Sequence, residues 1–192
     1  MHALIIVSHP LATSLTHATA RAIADAIGEH GGSSELADIS AEGFDPRWSP
    51  SDVAAFLKEA PQTPEILAEQ ARIDRADALV LVYPIYWWSF PALLKGWIDR
   101  VFANGWAYDE RDDGSIERKL GHLPVHLAAL GGADLRTYAR HGYFGAMRTQ
   151  IDHGIFDYCG APVIQTELLV DSDPEVTLET ARKIGRRVVL GK

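Results

Sequence analysis

The sequence predicts a doubly wound α/β fold: five parallel strands in the order 2-1-3-4-5, sandwiched between helices on both faces. Two observations carry this. Apolar runs of strand length alternate with segments of helical period along the whole chain. The first and third runs are also apolar throughout, as strands covered on both faces are, whereas a half-exposed antiparallel strand would alternate apolar with polar. Strands joined through helices pair in parallel by right-handed crossovers. A chain of 192 residues suffices for one such domain, residues 1–192, with a sizeable core.

The elements follow in order. Ala3-Leu4-Ile5-Ile6-Val7 is too short for a helix and reads as the first strand. After a loop at Ser8–Ser14, Leu15, Ala18, Ala22, Ile23, Ala26 and Ile27 recur at helical spacing, with Thr16, Arg21 and Asp25 elsewhere on that helix; Gly28, Gly31 and Gly32 end it. A short strand is expected around Glu35–Ile39. Residues 40–62 carry Pro46, Pro50 and Pro61 and read as a covering loop with one short helix. Thr63-Pro64-Glu65 supplies a cap, a first turn and an acidic residue for a helix to about Arg75. The apolar run Ala78–Tyr83 stops at Pro84, and a helix follows with Ser89 as its expected N-cap and Pro91 in its first turn. Asp109–Lys119 is the most polar segment and is expected to be a solvated excursion. It is no calcium loop, because Arg111 and Leu120 stand at ligand positions. Leu123–Leu130 is the fourth strand, residues 143–158 a helix, and Pro162–Val170 the fifth strand. Asp173-Pro174-Glu175 opens a last helix whose final turns carry Arg182, Lys183, Arg186 and Arg187, matching the helix dipole.

Composition narrows the function. A net charge of −8 argues against nucleic acid as the partner. The single cysteine, Cys159, rules out an internal disulfide framework and reads as a buried, inert thiol near a glycine-closed helix end. No apolar run is long enough to insert in a bilayer, and Met1-His2-Ala3 leads straight into a strand without a signal-peptide pattern, so a cytoplasmic location is expected. His122 and His126 are four apart, but Pro124 intervenes and they precede a strand, so no metal site is expected there.

Three loops that follow strands carry chemistry. In this architecture ligands bind beyond the carboxyl ends of the strands. The loop after the third strand holds three consecutive aromatics, Tyr86-Trp87-Trp88, which read as the wall of a site for a flat ring; the alternative is that both indoles are core. The loop after the first strand offers His9, Thr13, Ser14 and Thr16 at a helix N-terminus, and no Asp or Glu precedes Asp25, as suits an anion site. It contains no glycine, so neither the dinucleotide nor the P-loop fingerprint is present. Plain helix capping by Ser14 or Thr13 beside a surface histidine explains this loop equally well. The loop after the fourth strand has Gly131-Gly132, where backbone can approach a ligand closely, and runs on to Tyr138 and His141. Ser8-His9 is no hydrolase dyad, since neighbours on a strand face opposite ways.

The segment Pro84-Ile85-Tyr86-Trp87-Trp88-Ser89-Phe90-Pro91-Ala92-Leu93-Leu94-Lys95-Gly96-Trp97-Ile98-Asp99-Arg100-Val101-Phe102 resembles the pattern that follows the third strand in flavin-dependent NAD(P)H quinone reductases of the DT-diaphorase type. Ala107-Tyr108 and Gly131-Gly132 match as well, and the resemblance spans nearly the whole chain. It implies the flavodoxin-like fold, a non-covalent flavin (FAD or FMN) and NAD(P)H as hydride donor. It further implies phosphate contacts from His9, Thr13, Leu15 and Thr16, with Ser14 beside them. Ring contacts are implied from Pro84, Ile85, Tyr86, Trp87 and Trp88, and from Gly131, Gly132 and Tyr138. Differences from the pattern exist: Thr16 replaces a common asparagine, Ala129-Leu130 replace threonines, and Glu110 stands at the place of a second tyrosine. The Tyr138–His141 spacing is two residues shorter than in the mammalian members.

The expected function is therefore two-electron transfer from NAD(P)H to a quinone or similar planar acceptor, with Tyr138 or His141 as proton source; His141 reads equally well as a surface histidine beside Gly142. The acceptor pocket is expected from Trp88, Trp106 and Tyr108. Trp97, Trp106 and Tyr108 exceed what one core needs, so a homodimer is expected in which Trp106 and Tyr108 reach the partner's flavin. Two other classes stay open: a one-electron carrier of flavodoxin type, and an ancillary regulatory subunit of a potassium-efflux transporter, a role that close relatives perform.

Overall fold

The computed structural model describes residues 1–191. Five strands form one parallel sheet: β1 (His2–Val7), β2 (Ser33–Asp38), β3 (Ala78–Pro84), β6 (Val125–Leu130) and β7 (Val163–Leu169). Their spatial order is β2-β1-β3-β6-β7, which is the expected 2-1-3-4-5. Alternation of side chains across the pleat splits their apolar residues between two cores. Leu4, Ile6, Leu79, Leu81, Tyr83, Val125 and Leu127 face a core shared with α3 (Pro64–Asp74) and α4 (Ala92–Val101). Ala3, Ile5, Val7, Val80 and Val82 face the other, under α1 (Leu15–Glu29) and α7 (Pro174–Leu190). α1 and α7 cross where Gly185 lies against the Ile23 carbonyl; a Cβ there would stand 2.5 Å from that oxygen. The chain thus has three layers.

Several expectations are corrected. Asp109–Lys119 folds largely as an antiparallel hairpin, β4 (Tyr108–Glu110) with β5 (Ile116–Arg118), closed by an Arg111–Glu117 ion pair and by Gly114 at φ 78°. Thr63 precedes α3 but caps nothing with its side chain, and its hydroxyl is buried without a partner. The segment expected as one helix over 143–158 starts earlier and changes pitch. An unforeseen helix α5 (Leu135–His141), capped by Asp134, ends at Gly142 in the left-handed region. Then α6 (Tyr143–Arg148) passes into a π-helical stretch, Thr149–Asp157. The covering segment contains α2 (Pro50–Phe56), held by a reciprocal Ser49–Asp52 capping box. No helix among the described residues is long and apolar enough to cross a membrane.

His126 lies near the start of β6, on the α7 side, with its Nδ1 buried and unpartnered. Burial, reinforced by the Arg187 guanidinium, holds its pKa at about 4, below the usual 6.5. An unfolded chain therefore binds this proton from pH 6.5 downward while the folded chain does not. Stability is lost as pH falls from 6.5 to 4, by about 3 kcal/mol in all. Acid shifts from Asp38 and Asp52, whose carboxyls sit below their ordinary range, act only below about pH 4. His126→Leu should flatten the urea-unfolding midpoint between pH 4 and 6.5, and superimposable profiles for variant and wild type would contradict this assignment.

Candidate cofactor and acceptor site

β1 and β3 are neighbours, yet the chain leaves them in opposite directions, which opens a crevice at their carboxyl ends. The loop after β3 builds the first wall. Tyr86 and Ser89 exchange both backbone hydrogen bonds, at 3.2 and 3.1 Å, leaving Trp87 and Trp88 as a two-residue turn. Both have positive φ, 51° and 60°. That is the mirror-image turn that usually takes Asn-Gly. Two indoles there cost on the order of 1–3 kcal/mol each, a strain found mainly at functional sites. The turn explains why Ser89 does not cap α4: it is occupied in the turn, its hydroxyl donates to Gln150 at 2.6 Å, and Pro91 takes the cap position instead.

Trp87 is 91% exposed, so it is no core residue. Trp88 is half-buried: it stacks on Tyr143 at 3.7 Å and meets the edge of Tyr138 at 5.3 Å. Tyr143 was not foreseen; its only signal in the sequence is an aromatic after His141-Gly142. Ile85, Trp87, Trp88, Gly132, Ala133 and Tyr138 line a cleft of about 190 Å³. Among the described residues, the amides of Trp87, Trp88, Gly132 and Ala133 have no hydrogen-bond acceptor. Four unpaired donors thus belong to residues that line one cleft, which suits a flat ring on which negative charge develops. The Tyr138 hydroxyl rests on Gly131, where a Cβ would lie 2.5 Å from it. Burial raises the Tyr138 pKa, keeping its proton in place at neutral pH.

The loop after β1 supplies a second set of donors. Ser14 caps α1, accepting from the His17 amide, and no acidic residue lies in the first turn. The amides of Leu15 and Thr16 are unpaired within the described residues. Thr13 is exposed and Thr16 buried; His9 accepts from the Leu11 amide through Nδ1. The sparing of carboxylates, read from the sequence, is incomplete in space. Asp38, at the end of β2, bonds to His17 at 2.8 Å, just behind Ser14. His17 was missed; a histidine three residues after a capping serine was its one signal.

Other expected residues are not brought here. α4 runs back along the sheet for about 15 Å, so Trp106 and Tyr108, beyond its end, do not line this cleft. Trp106 donates its indole N–H to Asp74, and Tyr108 lines a separate cavity of about 250 Å³ with Trp48, Phe56, Phe102 and Tyr158. His141 is exposed and stacks on Tyr143, which in turn stacks on Trp88; it does not line the cleft. Cys159 is buried, its pKa pushed up to about 11 by burial, as befits an inert thiol.

An open parallel sheet with a cleft beyond the carboxyl ends of β3 and β6, lined by residues with unpaired amides, next to the anion-type helix terminus that follows β1, has the layout of a nucleotide-cofactor-binding α/β protein. The profile of a family described as flavodoxin-like fold matches residues 1–188, and the chain belongs to that family. It is 31% identical over 188 residues to NAD(P)H dehydrogenase [quinone] 1 of Cavia porcellus, covering 86% of this chain and 67% of that protein. Its structure resembles NAD(P)H:quinone oxidoreductase from Methanothermobacter marburgensis, with a TM-score of 0.89, 26% identity and 98% of each chain covered. It also resembles general stress protein 14 of Treponema denticola, solved with FMN, at a TM-score of 0.64 and 26% identity, covering 100% of this chain and 97% of that one.

Proposed function

We propose that this protein is a flavin-dependent oxidoreductase that passes two electrons from NAD(P)H to a quinone or similar planar acceptor. The observation that carries the reading is the convergence of a donor-lined ring cleft and an anion-type loop on one sheet edge, in a chain whose relatives are named quinone oxidoreductases. The flavin, when bound, supplies the hydride chemistry; the protein orients the rings and tunes their charge. The amides of Trp87, Trp88, Gly132 and Ala133 would stabilise negative charge that develops on the bound ring. Tyr138, whose proton burial keeps in place, would donate a hydrogen bond to the bound ring. Leu15 and Thr16 amides, with the hydroxyls of Thr13 and Thr16, hold the phosphate, whether the cofactor is FMN or FAD.

A homodimer belongs to the same reading. The cleft is smaller than the roughly 300–1,000 Å³ of a small-molecule site, so one protomer covers only part of a bound ring pair. Trp48, Phe56 and Tyr158 expose aromatic surface around the cavity that holds Tyr108, a composition suited to an interface core. Docking two copies there would bring Tyr108, with Trp106 beside it, over the partner's cleft.

The test is a visible absorption spectrum of purified protein, with mass identification of the released chromophore and turnover with NAD(P)H and a quinone. Yellow protein, or colourless protein that takes up FAD or FMN at micromolar concentration, is expected. Failure to bind either overturns the reading. In the same assay Trp88→Ala should keep the fold and lower turnover about tenfold, the size of one lost ring–ring contact. Wholesale unfolding, with unchanged activity per folded molecule, would make Trp88 a core residue instead.

A further inference from the structure

Behind the phosphate-type loop lies a part-buried chain of three side chains, Ser14, His17 and Asp38. His17 is 4% exposed, and both its ring nitrogens are engaged. Nδ1 meets Ser14 Oγ at 2.9 Å and Nε2 meets Asp38 Oδ2 at 2.8 Å. Asp38 is anchored in turn, since its Oδ1 accepts from the amides of Ser40 and Ala41, both at 3.1 Å. Burial works against its charge, but the His17 bond and these amides outweigh it and hold the carboxyl below its ordinary range. Asp38 is thus an acceptor only, which places a proton on His17 Nε2.

The consequence falls on Ser14. With the imidazole neutral, Nδ1 is an acceptor and takes the single Ser14 hydroxyl proton inward. Ser14 Oγ then offers the loop only lone pairs. When His17 takes up a proton from solvent at Nδ1, that N–H donates to Ser14 Oγ, and the hydroxyl proton turns outward. One protonation therefore adds a positive charge and a hydroxyl donor behind the loop together. The ionisable groups facing His17 are Asp38, from the end of β2, and His9, from the loop after β1, its ring edge-on at 6.3 Å. No Lys or Arg lies anywhere in residues 8–20, so the loop has no permanent cation of its own.

We infer that Ser14, His17 and Asp38 form a proton switch on the cofactor's phosphate, so that flavin binding is coupled to proton uptake at His17. His17 and Asp38 are positioning residues here, acting through Ser14. The inference rests on the flavin reading above and adds to it a built-in pH dependence of cofactor affinity.

The experiment measures Kd by flavin fluorescence quenching from pH 5.5 to 8.5, for FAD, FMN and phosphate-free riboflavin. Wild type, His17→Gln, Asp38→Asn and His9→Gln are compared, with thermal melts to confirm folding. FAD is the cleanest probe, because the FMN monoester itself titrates near pH 6. In wild type the FAD Kd should weaken about tenfold between about pH 5.5 and 8.5, while riboflavin stays flat. His17→Gln should abolish the FAD slope, and Asp38→Asn should move its midpoint to lower pH. With FMN, the difference in slope between wild type and His17→Gln isolates the histidine. A slope that survives in His17→Gln, that is lost only in His9→Gln, or that riboflavin shares overturns the switch and leaves the flavin reading standing. Absence of flavin binding at every pH overturns both.

Discussion

Arg100→Met is expected to destabilise the protein by about 3–5 kcal/mol, the cost of leaving a buried charge without its partner. Arg100 is buried on α4, where its Nε donates to Asp52 at 3.1 Å, Nη1 to the Asp45 carbonyl at 2.6 Å and Nη2 to Glu65 at 3.2 Å. Its guanidinium also lies over the Phe44 ring. One side chain therefore ties the covering segment, α2 and the start of α3 to the helix behind the ring cleft. Asp52 is buried and keeps its charge through Ser49 and Arg100 against the opposing effect of burial. Removing the cation leaves that carboxylate unmatched. Adding Asp52→Leu to Arg100→Met should return much of the loss, since an apolar pair of similar volume often replaces a buried ion pair without penalty. Urea unfolding checks both variants. A single-variant loss under about 1 kcal/mol would show the pair to be solvated.

Gly131→Ala is expected to leave the fold in place and to lower quinone turnover by on the order of 100-fold, the size of effect reported for a misplacement of about 1 Å. The new Cβ would stand 2.5 Å from the Tyr138 hydroxyl and 2.9 Å from Val170 Cγ1. Tyr138 cannot absorb this freely, because its ring is buried and packed edge-on against Trp88. The phenol must swing away from its place against Gly131. Tyr138→Phe is the companion: it keeps the ring and removes the proton. If the alanine variant turns over at the wild-type rate, the hydroxyl has no defined place in the reaction.

The strand order, both helical layers and the three site loops were legible in the sequence, because they rest on local signals. Apolar runs set β1, β3 and β6; helical spacing set α1; the aromatic triplet and the glycine pair marked the edge where ligands bind. The details that give those loops their chemistry were not legible. Nothing local shows that Trp87 and Trp88 take positive φ, since residues of their type avoid it; the two bonds between Tyr86 and Ser89 impose it. That same turn removes Ser89 from the capping role its composition suggests.

Distance in sequence hid the remainder. His17 and Asp38 are 21 positions apart and meet because β2 pairs beside β1, which carries the end of β2 to the start of α1. Trp106 and Tyr108 follow the aromatic loop closely in sequence but are carried away along α4, while Tyr143, from the far side of the sheet's last crossover, stacks on Trp88. Periodicity and composition, by themselves, determined the five strands of the parallel sheet, most of the helices that flank them and which sheet edge carries its chemistry. Only the tertiary structure decided which side chains meet there, because those contacts come from strand pairing and helix packing between segments that carry no information about one another's position.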